Sequence, residues 1–126
     1  MQVTKVQAIM LRDLGYNLKC RDYYNDRDGQ LKTFVYRNYN DGHMTYSAPS
    51  IDEVVRWLRE VWSWHISAEP IWCNKMFWAA DVVAIRTMTL LTSDTFDGDS
   101  HDEAVSKAIT DTLKHIITQR KNKTHA

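Results

Sequence analysis

Residues 49–85, PSIDEVVRWLREVWSWHISAEPIWCNKMFWAADVVAI, carry the strongest fold signal, because their hydrophobic pattern changes from helical to strand-like within one stretch. Ser50 and Glu53 have the spacing of a capping box, and the apolar residues that follow recur at helical intervals, which predicts a helix over 51–62. Residues 76–85 form a nearly continuous apolar run that favours an interior strand. Pro70 has no amide hydrogen to donate, so the strand around it is expected at a sheet edge or with a bulge at that residue.

Two further helices are expected near the ends of the chain. Thr4 and Gln7 have the form of a capping box and Gly15 suits a left-handed C-cap, which predicts a helix over 4–14. Ser100 and Glu103 repeat the capping pattern ahead of an amphipathic segment, which predicts a last helix over 100–119. Residues 120–126 are polar and are expected to be a disordered tail.

The region between the first two helices shows a period nearer two, which is typical of strands. Candidate strands lie at about 19–24, 31–39 and 43–47. The segments at 25–29 and 40–42 are rich in Asn, Asp and Gly, the residues that tight hairpin turns require. Because neither face of the middle strand is purely apolar, this hairpin region is expected to lie at the periphery.

The patterns together predict an α+β fold in a single domain over residues 1–126. Its antiparallel sheet is expected to have about three core strands within 64–93, the last of them at 87–93, followed by a loop at 94–100. The helices at 4–14, 51–62 and 100–119 pack this sheet, and the N-terminal hairpin region extends or flanks it.

Composition narrows the function classes. The 126 residues include 16 basic and 16 acidic side chains, so the formal net charge is zero and nucleic acid is disfavoured as a partner. The start of the chain lacks the features of a secretory signal, and no apolar run approaches the ~20 residues that span a bilayer. We therefore expect a cytoplasmic protein with no membrane partner.

Catalytic, cofactor and metal motifs are absent from the sequence. The five histidines lie on separate segments, and Cys20 and Cys73 have no CxxC spacing, so no metal site is expected and both thiols should be free. The sequence has no nucleophile elbow. Its four glycines are too scattered for a phosphate-binding loop. The sequence therefore predicts no catalytic residues, no cofactor and no metal.

Tryptophan is the one compositional excess, with five residues. Trp62 and Trp78 fit the helix stripe and the interior strand and are read as core. Trp57, Trp64 and Trp72 lie off the stripe or flank the strand that contains Pro70, and they are the candidate partner-binding residues, since Trp combines a large contact area with a polar handle. The alternative, that these three close the margin of the core, stays open.

Short motifs along most of the chain carry a resemblance to a protein group. They are YSAPS at 46–50, VRWLRE at 55–60, WHI at 64–66, DTFD at 94–97 and DEA at 102–104. In these motifs, and in the early helix that ends in Gly15-Tyr16, the chain resembles small α+β proteins of gut Bacteroidetes and their prophages or mobile elements. It is similar, more loosely, to phage α/β sandwich domains. The resemblance implies no active site, and residues 72–78 are more apolar than is typical of the group.

The sequence favours a non-enzymatic accessory protein that acts by binding another protein, encoded by a bacterium or its phage. Self-association through a sheet edge is the first alternative. Weak nucleic-acid binding is the second, and it would use basic residues on the tail and on the central helix. Those residues are Arg120, Lys121 and Lys123, and Arg56 and Arg59.

Overall fold

The computed structural model describes residues 1–92 and 94–125, with side chains described through residue 122. Within these residues lie three α-helices and two antiparallel sheets, of three and four strands, which confirms the α+β class. The chain divides into two compact units, one formed by Met1–Ser50 with Ile116–Ala126 and the other by Ile51–His115. We call them unit 1 and unit 2. A single domain over 1–126 stays a prediction.

Unit 1 begins with α1, which spans Lys5–Asp13 and confirms the helix predicted at 4–14. Thr4 and Gln7 cap each other's backbone amides in a complete capping box. Gly15 ends the helix with a φ of 87°, a conformation that costs glycine little because it has no Cβ. The local signals alone therefore specify both ends of this helix.

The sheet of unit 1 contains β1 (Cys20–Asn25), β2 (Lys32–Arg37) and β3 (Thr45–Ser47) in the order β2-β1-β3. The first hairpin, β1–β2, is confirmed. The second is wrong: β3 pairs with β1 and not with β2. A 3-10 turn at Tyr39–Asp41 leads the chain away from β2, and Gly42 has a negative φ, so the segment at 40–42 is not a tight hairpin turn.

Unit 2 contains α2 (Ile51–Trp62), β4 (Trp64–Cys73), β5 (Lys75–Ala84), β6 (Thr89–Leu90) and β7 (Phe96–Gly98). The strand order is β4-β5-β6, and β7 also pairs with β5. The helix predicted at 51–62 is confirmed, and so is the edge position of the strand that contains Pro70.

Two predictions for this sheet need correction. The loop expected at 94–100 contains strand β7, because its turn-forming residues pair with the open side of β5. The strand expected at 87–93 is reduced to Thr89–Leu90, after a turn in which Met88 has a φ of 54°. Ser93 lies outside the described residues.

The last helix, α3, spans His101–His125, and its residues through His115 belong to unit 2. It extends beyond the predicted end at 119, so residues 120–125 are helical here; Ala126 lies outside the described residues, and the disorder of the tail stays a prediction. The core side chains of unit 2 are apolar residues of α2, the sheet and α3. They are Ile51, Val54, Trp57, Leu58, Ile66, Ala79, Ala80, Val82, Ala104, Val105, Ala108, Ile109 and Leu113.

Candidate functional site

The structure does not bring the three candidate tryptophans together. Trp57 is only 5 % exposed, which fits the alternative that it closes the margin of the core; its role in binding stays a prediction. Trp57 follows Val54 by one helical turn, so both side chains lie on the buried side of α2. Its ring packs edge-to-face on Trp62, with 6.4 Å between the ring centroids. Val61, which the apolar stripe includes, is exposed instead.

Trp64 and Trp72 lie at opposite ends of β4. They are eight residues apart, which corresponds to about 26 Å along an extended strand. Trp64 is half-buried, and its ring meets His115 of α3 edge-to-face at 5.2 Å. Trp64 therefore closes the margin of the unit 2 core, and of the three candidates Trp72 alone is largely exposed.

Trp72 lies near the turn of the β4–β5 hairpin, in the segment 70–77 that we call the hairpin tip. Ten consecutive cross-strand pairs join β4 and β5, and Asn74, with a φ of 62°, is the single residue between them. Trp72 is 77 % exposed and stands opposite Met76, which is 57 % exposed. The two side chains form an apolar pair on the surface.

The apolar face of the sheet continues into the hairpin tip beyond the helix that covers it. Because strand residues alternate sides, the pairs Trp72–Met76 and Pro70–Trp78 share one face. His101, the first residue of α3, packs on Trp78 at 5.3 Å. The helix begins at that point, so the next pair outward has nothing from α3 above it.

The opposite face of the hairpin tip also carries apolar side chains. Ile71 is 39 % exposed and stands opposite Phe77, which is half-buried. In this segment the sheet has narrowed to two strands, because β7 pairs with β5 only at residues 78–80. An isolated two-stranded ribbon is only marginally stable in water. Apolar residues on both of its faces are stabilised most when a further surface covers them.

A cleft of about 330 Å³ lies beside the hairpin tip, at the end of β7 and the start of α3. Its lining combines one aromatic side chain with charged groups of both signs. The lining residues are Lys75, Phe77, Asp97, Gly98, Asp99, Glu103 and Lys107.

Hydrogen bonds fix one wall of this cleft. Lys107 Nζ donates to the carbonyl of Asp97 at 2.6 Å and lies 3.5 Å from Glu103. Glu103 Oε2 accepts from the amide of Asp99 at 3.1 Å, while the Glu103 amide donates to Ser100 Oγ. The predicted cap at Ser100 is thus confirmed, but the glutamate reaches Asp99.

Unit 1 has an exposed apolar segment of its own, which sequence reasoning missed. Phe34 and Tyr36 of β2 are 67 % and 63 % exposed, and Val35 between them is exposed too. The mixed polarity of both faces of this strand was the available signal, and it indicated only a peripheral position. The three residues oppose the single residue Arg21 of β1, which makes them a bulge.

Side chains around β3 hold unit 1 together near a second cleft of about 430 Å³, whose lining includes Ile9, Arg12 and Tyr46. Arg12 donates to the carbonyls of Thr45 and Gly42 at 2.7 and 2.9 Å and lies over the ring of Tyr46. The guanidinium group is therefore engaged by structural partners.

Three tyrosines of unit 1 hold their protons more tightly than usual. The pKa of Tyr46 is raised because its hydroxyl donates to Asp26 Oδ1 at 2.6 Å, and by burial. Burial is the main cause that raises the pKa of Tyr24 and of Tyr39. On an exposed turn, the Gln30 amide and Lys32 lower the pKa of Asp28.

The described residues contain no group of three or more His, Cys, Asp or Glu side chains that could hold a metal ion. No helix in the same part of the chain is long and apolar enough to cross a membrane. Cys20 is buried and Cys73 is exposed at the hairpin tip, and neither forms a disulfide.

The arginines considered for nucleic-acid binding each have their own contacts. Arg56 lies 3.5 Å from Glu60, and Arg59 lies 3.4 Å from His65. Arg120 donates to the carbonyl of Asp13, and the side chain of Lys123 lies outside the described residues.

Comparison with known proteins found no matching family model, no matching curated protein and no matching solved structure. The resemblance to small Bacteroidetes and phage proteins therefore stays a prediction.

Proposed function

We propose that the chain is a non-enzymatic binding module that engages a partner protein through the hairpin tip. The observation that carries the proposal is the Trp72–Met76 pair: two large apolar side chains, 77 % and 57 % exposed, on a regularly paired hairpin. The cytoplasmic and phage-related setting expected from the sequence belongs to the same proposal.

The chemistry of this pair fits an interface anchor. Tryptophan and methionine are both enriched at the centres of protein interfaces, and tryptophan is the residue most often found to dominate binding energy. Ten cross-strand pairs fix the register of the hairpin, which limits the backbone entropy that is lost when the tip is covered. The fold itself gains little from an exposed Trp72, which supports a role in association.

Affinity capture from a bacterial lysate with nuclease present, followed by calorimetry with the purified partner, tests the proposal. Trp72→Ala should weaken association by at least ~30-fold, the effect of losing a hot-spot residue. Leu90→Ala is the matched control, because Leu90 is also an exposed apolar strand residue of unit 2. A partner that binds Trp72→Ala as tightly as the unaltered protein would refute the proposal.

Self-association through the outer edge of β4 is a second candidate. Among the described residues no strand pairs with that edge, and its ten residues have no bulge. Pro70 and exposed Glu69 disfavour pairing in the half near the turn, which leaves residues 64–68 as the open template. Sedimentation equilibrium over a range of concentrations would show a dimer that Ser67→Lys abolishes; a monomer throughout would exclude it.

A further inference from the structure

We propose that the slot beside residues 75–77 of β5 binds an extended peptide segment that carries a basic residue, then apolar residues, then an acidic residue. The segment adds to the sheet antiparallel to β5, in line with β7. The inference rests on the proposed function in taking the segment to belong to the protein partner, and it names the chemistry that the partner presents.

The slot arises because β7 is shorter than the strand it pairs with. Gly98 is opposite Trp78, and the chain then turns into α3 instead of continuing alongside Phe77, Met76 and Lys75. β4 covers the other edge of these residues. In the part of the chain that the structure describes, no strand pairs with β5 at 75–77 on the β7 side, so alternate backbone amides and carbonyls there are open to a further strand.

The cleft of about 330 Å³ lies at this slot, and its side chains give the site a direction. Asp99 and Glu103 lie at the end where β7 stops, and Lys75 lies at the end near the hairpin turn. Phe77 stands between them as the apolar contact. A segment in the antiparallel direction enters beside the acidic residues and leaves beside Lys75.

Charge complementarity therefore selects the order of residues in the segment. Glu103 is partly neutralised by Lys107 at 3.5 Å, whereas no described side chain places a cation beside the carboxylate of Asp99. A basic side chain near the start of the segment would form an ion pair with that carboxylate. An acidic side chain near its end would face Lys75, for which the described side chains show no ion pair either.

Two probe peptides of identical composition test this order. Acetyl-Lys-Val-Phe-Val-Glu-amide has the predicted order, and acetyl-Glu-Val-Phe-Val-Lys-amide reverses it. In a ¹H–¹⁵N NMR titration of the full chain, the first should shift the amides of Lys75, Met76, Phe77 and Asp99. It should bind at least about fivefold more tightly than the second, since each charge would change from attraction to repulsion. Equal affinities, binding of neither peptide at millimolar concentration, or shifts confined to other residues would overturn the inference.

A charge swap in the protein tests the role of the charge order more directly. The double variant Lys75→Glu with Asp99→Lys should reverse the preference, so that the second peptide binds better. Both side chains are exposed, and the backbone amide of Asp99 keeps its bond to Glu103, so the fold should survive. If the swapped protein is folded and still prefers the first peptide, charge order does not govern the slot.

Trp72→Ala separates this inference from the proposed function. Trp72 is not among the residues that line the cleft, so this variant should bind the first peptide with unchanged affinity. If the peptide binds as predicted while the partner binds Trp72→Ala as tightly as the unaltered protein, the role of the Trp72–Met76 pair fails and the slot stands. If the partner needs Trp72 and neither peptide binds, the slot fails alone.

Discussion

Strand β2 of unit 1 and the β4–β5 hairpin tip of unit 2 both expose large apolar side chains, but their backbones differ. In β2 the exposed residues Phe34–Tyr36 form a bulge opposite Arg21, and Tyr39 Oη donates to the carbonyl of Val35 at 2.6 Å. In the hairpin tip the ladder is regular to its last pair. A bulge protects an edge from pairing with other chains, whereas a regular ribbon presents its side chains in fixed positions.

The comparison teaches that exposure alone does not identify a binding surface. Phe34 is about as exposed as Met76, yet it lies on a strand that is irregular where it is apolar. The hairpin tip combines exposure, regular pairing and an adjoining cleft. We therefore propose the tip as the binding surface, and we interpret the β2 bulge as an edge that is protected against pairing.

The two units can be followed separately by spectroscopy. All six tyrosines lie in Met1–Ser50 and all five tryptophans lie in Ile51–His115. Tyrosinate absorbance therefore reports on unit 1 and tryptophan emission on unit 2. The predictions below use this division.

The largest expected effect is that of Trp57→Ala, because it removes a buried ring from the core of unit 2. We expect a loss of about 3–5 kcal/mol in the free energy of unfolding, measured by urea denaturation followed by tryptophan emission. Trp57→Phe, which retains most of the apolar volume, is the control and should cost less. A cost below about 1 kcal/mol for Trp57→Ala would mean that this residue belongs to the surface after all.

Gly98→Ala should cost about 1–3 kcal/mol, the range for overfilling a packed site. A Cβ at this position would lie 2.6 Å from the amide of Ala104 and 2.9 Å from Cβ of Glu103, so β7 and the start of α3 would have to separate. Thermal unfolding measures the change. Asp99→Ala serves as a neighbouring control, and an equally stable Gly98→Ala protein would contradict the close approach.

Alkaline pH should weaken unit 1 before unit 2. The pKa values of Tyr24, Tyr39 and Tyr46 are raised in the folded chain, so the neutral phenols favour folding. This stabilisation is complete below the unfolded pKa of about 10 and is lost as the pH rises through the higher folded values. Tyrosinate absorbance and amide exchange in β1 should therefore change at a lower pH than tryptophan emission; simultaneous changes would contradict the prediction.

Tyr39→Phe should have the smallest of these effects on stability, about 1 kcal/mol, the net value of one hydrogen bond. It removes the hydroxyl that donates to Val35 while keeping the ring stacked on Tyr23 at 4.4 Å. Hydrogen exchange should quicken within β2. If the bulge protects this edge, the variant should also associate more readily at high concentration; unaltered exchange and unaltered association would show that the bond is incidental.

Much of the fold could be predicted from local signals. The capping box at Thr4, the N-cap at Ser100 and the left-handed Gly15 are interactions within a few residues, so they can be read from the sequence. Strand β7 could not be predicted, because its turn-forming residues pair only where β5 offers an open edge. The pairing of β3 with β1, where the sequence predicts pairing with β2, likewise depends on long-range contacts.

The candidate site could be predicted only in part, because it also depends on long-range contacts. Its position beside an edge-forming proline makes Trp72 a candidate partner-binding residue, and its side chain is 77 % exposed. The burial of Trp57 could not be predicted, because the buried side of α2 depends on what packs against the helix, which its own periodicity does not specify. The apolar run at 76–85 predicts an interior strand for Met76, but β7 ends and α3 begins before either reaches this residue, so it is left uncovered.

One measurement bears directly on the assignment of binding to the hairpin tip: the free energy of unfolding and the partner affinity of Trp72→Ala, determined on the same preparation. We predict that the stability changes by less than about 0.5 kcal/mol, as for an exposed residue, while the affinity falls at least ~30-fold. A loss of several kcal/mol in stability, or an affinity that does not change, would contradict the assignment.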